Sequence, residues 1–231
     1  MEIKKSLRKA GKVLLIFVGG IITLSLTGLL ILHFKSPGKT EPFVDENGET
    51  ISKSISGIEK IELGGIDQYI ITGGIDSTKP VLLFLHGGPG SPEMGFVKKL
   101  NPELEHDFVV VHWEQRGSGK SYNNNISIES MTIEQFISDT KELSEYLIKR
   151  FNKDKIYIMG HSWGSYLGIK TIEKHPELFH CYFGIGQVAD QYRSERISYE
   201  WAKSQAEKKE DKKAIKKLGA LDFPEMNASS K

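Results

Sequence analysis

A serine flanked by glycines is the residue of this chain best suited to chemistry. The run Gly160-His161-Ser162-Trp163-Gly164 fits the pattern G-x-S-x-G, which is typical of a nucleophilic serine on a sharp turn between a strand and a helix. Side chains two residues before and after the serine would collide at such a turn, so the glycines have a physical reason. The helix N-terminus favours negative charge developing beside the serine. The pattern predicts Ser162 as a nucleophile.

A second glycine-rich segment has a spacing suited to anion binding. His86-Gly87-Gly88-Pro89-Gly90 directly follows the apolar run Val81 to Leu85. Glycines there let a backbone N–H approach a developing oxyanion, and the partner N–H would come from Trp163, just after the nucleophile. Removing one such donor typically costs ~10²–10³-fold in turnover. Taken alone, the loop is equally well explained as a tight structural turn.

A third segment, Trp113 to Ser121, follows another apolar run and reads WEQRGSGKS. Arg116 and the glycines predict a structured loop beside the serine. Taken alone, a charged loop of this kind is more often structural than catalytic.

These motifs need a scaffold, and the apolar patterning predicts one. Short continuous apolar runs are typical of strands buried on both faces; they cover Val81–Leu85, Phe108–Trp113, Lys155–Gly160 and Cys181–Gly186. Two alternating segments, 58–65 and 67–74, predict an antiparallel hairpin before them. Helical segments lie between the later strands. The alternation predicts an α/β fold with a mostly parallel sheet and helices on both faces.

One of these helices has a clear start signal and a clear apolar face. Thr132 is a good N-cap, and Gln135 completes a capping-box pattern. Apolar or small residues then recur at helical spacing, at Phe136, Ile137, Thr140, Leu143, Leu147 and Phe151. The helix after Ser162 is predicted to run to about Lys174, because Pro176 follows.

The N-terminal region predicts a membrane anchor. Val13 to Leu32 is 20 residues without a charge, which as a helix reaches about 30 Å, the thickness of a bilayer core. Basic residues crowd the stretch before it, so the positive-inside rule predicts a cytoplasmic N-terminus and a domain outside the cell membrane. A cleaved signal peptide is the alternative, but its apolar core is usually ~7–15 residues and ends at a small-residue site. We predict a tail over 1–12, a single-pass span over 13–33 and a linker over 34–56 that acts as a stalk.

Composition excludes several other classes. The net charge is +1, so nothing indicates a nucleic-acid partner. The single cysteine, Cys181, excludes an internal disulfide and a multi-cysteine metal site, and no metal or cofactor is predicted. Free cysteines are often buried, so Cys181 is expected to be a small core residue. We predict a core domain over 57–189 and part of a helical cap over 190–231.

Taken together, the three motifs are specific. The chain resembles the α/β-hydrolase fold and, within it, the prolyl aminopeptidase (proline iminopeptidase) family, whose HGGPG loop, D-Q-R-G-x-G-x-S loop and G-x-S-W-G elbow occur in this order. Here the middle motif begins with Glu114 instead of Asp. The resemblance covers about residues 58–190. It implies Ser162 as nucleophile, Gly88 and Trp163 as oxyanion donors, and supporting roles for His86, Gly87, Gly90, Gln115, Arg116, Gly160, His161 and Gly164.

A base and an orienting acid are harder to find. In this fold they follow the serine as Asp or Glu and then His, and only His175 and His180 follow Ser162. His175 is ~20 Å away along the helix, and His180 precedes a strand, at the opposite end of the sheet. His161 is expected to point into the fold, and the earlier histidines, His86 and His112, fit structural roles at strand ends.

The acids that follow Ser162 do not complete a triad. Asp190, Asp211 and Asp222 have no later histidine to orient. No catalytic histidine or aspartate is therefore identified, and the chain is expected to be a C-terminally truncated form of a longer hydrolase.

Three functions stay open at this point. The first is a membrane-anchored serine hydrolase that cleaves a small peptide or amide through an acyl-enzyme on Ser162. The second is an inactive remnant or binding module. The third is an esterase or lipase on the same scaffold, since fold does not fix function.

Overall fold

The computed structural model describes residues 2–35, 38 and 40–221. Its sheet has six strands: β1 (Ile55–Leu63), β2 (Ile66–Gly74), β3 (Val81–Leu85), β4 (Val109–Glu114), β5 (Ile156–His161) and β6 (Phe179–Ile185). Their order across the sheet is β1-β2-β4-β3-β5-β6. The pairs β1–β2 and β2–β4 are antiparallel, and β4, β3, β5 and β6 run parallel. The predicted hairpin and mostly parallel sheet are confirmed.

The helices are α1 (Glu2–Lys35), α2 (Met94–Leu100), α3 (Leu104–Asp107), α4 (Ile133–Arg150), α5 (Trp163–Lys174), α6 (Gln191–Lys208) and α7 (Lys212–Gly219). Of these, α4 and α5 pack on one face of the sheet and α2 lies over the other. Three 3₁₀ turns cover Gly119–Ser121, Ile128–Ser130 and Pro176–Leu178. Leu83 and Leu85 belong to the core under α4 and α5. Phe84, between them, lines an apolar cavity against α2 on the other face, as strand alternation requires.

The helix α4 starts as predicted, with one difference. Thr132 is its N-cap and its side chain accepts the N–H of Gln135 at 3.3 Å. The Gln135 side chain does not complete the capping box, because its amide donates to Asp139 at 2.7 Å. The core-facing positions are buried as the helical spacing predicts.

The strand β6 differs from its prediction. It is an edge of the sheet, pairing with β5 alone among the described strands, and most of its residues are exposed. Cys181 is exposed, so its predicted place in the core is wrong. One face of the strand packs near α5, where Tyr182 contacts Gly168. Hydrophobicity alone does not distinguish an edge strand from a central one.

The segment predicted as a stalk lies against the domain where it is described. Lys98 of α2 sits over the Phe43 ring, 5.0 Å from its centroid. Val44 and Thr50 form a β-bridge, and the N–H of Ser77 donates to Lys53 O at 2.8 Å. Residues 36, 37 and 39 of the predicted linker fall outside the described part.

The helix α1 contains the predicted span. Its segment Gly11–Leu32 is long and apolar enough to cross a membrane, and none of it is buried against the rest of the chain. A signal sequence has the same properties.

The predicted partial cap begins with two helices. Asp190 caps α6 by accepting the N–H of Arg193 at 2.9 Å, and Asp211 caps α7. A cleft between the two helices is lined by Trp201 and Leu218. Residues 222–231, including Asp222, lie outside the described residues.

A buried histidine on β4 gives the fold a pH dependence. His112 is 5% exposed, its Nδ1 has no hydrogen-bond partner, and its ring packs against Phe84 with centroids 5.3 Å apart. Burial is the main cause that lowers the pKa of His112 from 6.5 to about 4. The histidine is neutral in the folded protein and gains a proton on unfolding below pH 6.5.

We expect acidification to destabilise the protein through His112. The contribution of His112 to the free energy of unfolding is fully present above its unfolded pKa of 6.5. This contribution is lost as the pH drops toward 4, by about 3 kcal/mol in total. The variant His112→Phe should show a shallower loss over that range, measured by urea unfolding at a series of pH values. Equal slopes in the two proteins would contradict the assignment.

Candidate active site

Ser162 occupies the turn that joins β5 to α5. Its backbone has φ 51° and ψ −115°, in the left-handed region, which is costly for a residue with a side chain and is common at functional sites. It caps α5, but its side chain makes no capping hydrogen bond. A serine held in such a turn presents its hydroxyl at the carboxyl end of the sheet.

The two motif glycines are required by close backbone contacts. A Cβ on Gly160 would overlap the carbonyl of Gly164, and a Cβ on Gly164 would overlap the carbonyl of Leu85 at the end of β3. The predicted collision therefore exists, although for Gly164 the neighbour belongs to another strand.

Further hydrogen bonds hold the elbow. The N–H of Ser162 donates to Ile185 O at 2.9 Å, at the end of β6. The hydroxyl of Ser165 donates to Ser162 O at 2.6 Å and accepts the N–H of Val188 at 2.9 Å. Ser165 was missed in the sequence, because its role depends on a loop 23 residues later.

The predicted oxyanion donors share one pocket with the serine. Gly88, Ser162 and Trp163 line a cavity of about 470 Å³, together with Pro89, Tyr166, Val188, Gln191, Tyr192 and Glu195. Trp163 is the first residue of α5, so its N–H has no partner within the helix. Gly88 has φ 113°, and a Cβ there would lie 2.7 Å from Gly90 N. Position 90 has φ 90°, so it also favours glycine.

His86 is a structural residue of the glycine-rich loop. It is 2% exposed. Its Nδ1–H donates to Gly87 O at 2.8 Å, and its Nε2 accepts the N–H of Gln115 at 3.2 Å. Burial lowers its pKa, so the imidazole stays neutral. Both ring nitrogens are occupied, which leaves His86 unsuited to take a proton from the serine.

Arg116 fixes the third motif to α4 and to the turn between β1 and β2. Its guanidinium is buried and pairs with Asp139 of α4 through two hydrogen bonds of 2.9 and 3.0 Å. It also donates to Gly64 O at 3.1 Å, and Gln68 donates to Asp139 at 2.8 Å. Asp139 was missed in the sequence, although an acid among the buried positions of α4 was a signal that a cation faces it.

Glu114 fills the position where the family has Asp. The N–H of Lys120 donates to its carboxylate, and a Cβ on Gly119 would press against that carboxylate. The Glu114 side chain therefore links the beginning of the third motif to its end.

His161 does not point into the fold, contrary to the expectation. Its side chain is 42% exposed, and its Nδ1 lies 2.7 Å from Glu93 Oε1. Both residues line the apolar cavity of about 540 Å³ under α2. The direction follows from strand alternation at the end of β5, which sends the residue before the serine to the opposite face.

The two histidines after Ser162 lie away from the serine, although His180 is the second residue of β6 and does not precede that strand as predicted. His175 follows the last residue of α5, at the end remote from the serine, and its ring lies 3.5 Å from Glu177. His180 is beside the start of β5, with its ring against Tyr157. Asp190 and Asp211 cap helices. In the described ranges, neither histidine lines the serine pocket.

The fold and the elbow define the class of protein. The sequence profile of the family described as "alpha/beta hydrolase fold" matches residues 80–213. This chain belongs to that family of hydrolases, within which it resembles the prolyl aminopeptidases.

Individual relatives agree with this resemblance. The chain is 44% identical over 157 residues to Probable aminopeptidase YbaC of Bacillus subtilis (strain 168), covering 68% of this chain and 49% of the relative. It is 32% identical over 120 residues to Proline iminopeptidase of Lactobacillus helveticus, covering 51% and 39%. The chain thus spans half or less of the length of these relatives.

A solved structure is also similar. A proline iminopeptidase-related protein from Thermus thermophilus is 25% identical, with a TM-score of 0.49, over 56% of this chain and 44% of that one.

Proposed function

We propose that this hydrolase is a serine aminopeptidase that uses Ser162 as its nucleophile. Ser162 Oγ attacks the carbonyl carbon of the bond after the N-terminal residue of a short peptide, and the carbonyl oxygen becomes an oxyanion held by the N–H groups of Gly88 and Trp163. The departing amine takes up the proton that the Ser162 hydroxyl loses, and water then hydrolyses the ester on Ser162, which releases the acid and restores the hydroxyl. The observation that carries the proposal is the strained serine sharing a pocket with both donors.

The pocket wall favours an amine substrate. The exposed carboxylate of Glu195 stands on the α6 side of the cavity, and a carboxylate suits the ammonium group of a peptide N-terminus. Tyr166 and Tyr192 offer aromatic surface for an apolar side chain such as that of proline. An esterase acting on neutral esters has no use for that charge.

A second candidate is a site that binds without turning over. Neither His175 nor His180 stands at the serine pocket, and transfer of the Ser162 proton needs a base within ~2.6–3.2 Å. In this alternative, the described residues hold the nucleophile and the oxyanion donors but lack the base.

One substrate series separates these functions. The full chain in detergent is assayed with proline 4-nitroanilide, N-acetylproline 4-nitroanilide and 4-nitrophenyl butyrate. An aminopeptidase should prefer the free amine over the acetylated anilide by about 10–100-fold, because acetylation removes a charge-assisted contact. Turnover of the ester alone would indicate an esterase, and no turnover of any substrate would favour the inactive site.

We also propose that α1 anchors the protein in the cell membrane, with the N-terminus in the cytoplasm. The apolar length of Gly11–Leu32 and the basic residues before it support this orientation.

The exposed cysteine tests this topology. Cys181 is the only cysteine in the sequence and lies on an exposed edge strand, so a membrane-impermeant maleimide should label it on intact cells. The variant Cys181→Ser is the control and should not react. Labelling only after permeabilisation would contradict the orientation. Recovery of a shorter, labelled protein from the medium would indicate a cleaved signal peptide.

A further inference from the structure

We propose that Gln115 is a positioning residue that sets the separation of the two oxyanion donors. The inference rests on the proposed function, since it concerns the same site. Gln115 follows β4 and is 1% exposed. It belongs to the third motif, whose part in the chemistry the sequence left undefined.

The side chain of Gln115 joins the two loops that carry the donors. Its Nε2–H donates to His86 O at 3.0 Å, and its Oε1 accepts the indole Nε1–H of Trp163 at 3.0 Å. Its backbone N–H donates to the ring of His86 at 3.2 Å. Because β3 lies between β4 and β5 in the sheet, the amide reaches across the end of β3 to the elbow.

Each residue that the Gln115 side chain binds lies in the same segment as one oxyanion donor. His86 is two residues before Gly88, and Trp163 contributes the second N–H from its own backbone. The indole of Trp163 also packs edge-on against Phe136, with centroids 5.7 Å apart, so Gln115 and Phe136 hold the ring from two sides. A fixed ring restricts the backbone N–H of the same residue.

The chemistry of the bridge requires an amide of this length. One end must donate to a carbonyl and the other must accept from an indole, and the amide of Gln offers an NH₂ donor and a carbonyl acceptor at one end of a flexible stem. Oxyanion donors act at 2.7–3.1 Å from the oxygen, and a displacement of about 1 Å costs about 100-fold in rate. Loss of the bridge should therefore slow attack at Ser162 more than it changes substrate binding.

The fold contains a matched control for this bridge. Gln68 accepts the indole N–H of Trp113, also at 3.0 Å, and is fully buried. This second pair joins the Arg116 and Asp139 network beneath the loop and touches neither oxyanion donor. Removing it should lower stability, while Arg116 keeps its two hydrogen bonds to Asp139 and its bond to Gly64 O and so still holds the loop of Gln115 in place.

The test combines a spectroscopic and a chemical measurement on the full chain in micelles, labelled with ¹⁵N-tryptophan. The three tryptophans yield indole and backbone N–H signals, and Trp163→Phe identifies those of Trp163. The variant Gln115→Met should shift both signals of Trp163 and slow labelling of Ser162 by a fluorophosphonate by about tenfold or more. Gln68→Met should shift the Trp113 indole signal and leave the labelling rate unchanged.

A neutral second substitution guards against misfolding. Gln115→Asn keeps both hydrogen-bonding groups on a side chain one methylene shorter, so it cannot reach both partners, and labelling should slow while the Trp113 indole signal stays unchanged. An unchanged Trp163 signal or an unchanged labelling rate in folded Gln115→Met would overturn the inference. If the wild-type protein is not labelled at all, the proposed function fails, and the backbone signal of Trp163 then decides the positioning role alone.

Discussion

Replacing Ser162 by Ala is expected to abolish labelling by a fluorophosphonate and to reduce turnover of proline 4-nitroanilide by about 10⁴-fold or more, as loss of a nucleophile does in serine hydrolases. The probe reacts only with an activated hydroxyl, and Ser162 is the serine whose turn opens on the pocket of Gly88 and Trp163. Labelling is measured by gel fluorescence and turnover by absorbance.

A nearby serine supplies the control for this experiment. Ser91 lies just beyond the glycine-rich loop and is exposed, but it does not line the serine pocket. The variant Ser91→Ala should therefore react with the probe at the wild-type rate. Equal labelling of Ser162→Ala and wild type would refute the nucleophile. A wild-type protein that binds peptide but neither reacts nor turns over would support the inactive alternative.

Breaking the Arg116–Asp139 pair is expected to have the largest effect on stability. Either Arg116→Ala or Asp139→Asn disrupts the pair, and removing one partner of a buried pair costs about 3–5 kcal/mol because the other charge is left without compensation. A typical domain is stable by only about 5–15 kcal/mol. Urea unfolding, followed by tryptophan fluorescence, should show a clearly lower midpoint for both variants.

An exposed ion pair provides the comparison. Lys60 and Asp67 face each other across the β1–β2 hairpin at 2.7 Å, with both side chains more than half exposed. Water and salt screen such a pair, so Lys60→Ala should leave the unfolding midpoint almost unchanged. A similar loss for Lys60→Ala and Arg116→Ala would show that burial does not control the contribution of Arg116.

The buried pair also has a consequence for the site. Arg116 is next to Gln115, and its guanidinium ties that loop to α4 and to the hairpin turn at Gly64. A Cβ on Gly64 would overlap this network, and the glycine has φ 53°. The loop that supports the oxyanion donors is therefore fixed to the core by groups that make no contact with the pocket.

Much of the scaffold could be predicted from local sequence. The run Val81–Leu85 forms a strand with the predicted bounds, and the other apolar runs locate their strands to within about two residues. Such runs are informative because a strand buried on both faces has few positions for polar side chains. The elbow was equally accessible, since its glycines and its serine are close together in the chain, although the collision that requires Gly164 involves Leu85 of β3.

The sequence by itself determined the fold class, the position of Ser162 and the loops that carry Gly88 and Trp163, because each depends on residues close together in the chain. The tertiary structure alone decided which side chains from distant parts of the chain contact each other. Gln115 and Trp163 are 48 residues apart, and Arg116 and Asp139 are 23 apart. The exposed edge at Cys181 and the outward direction of His161 likewise depend on what packs beside them. Hydrophobic patterning records whether a position is buried, but not which distant partner satisfies a polar group there.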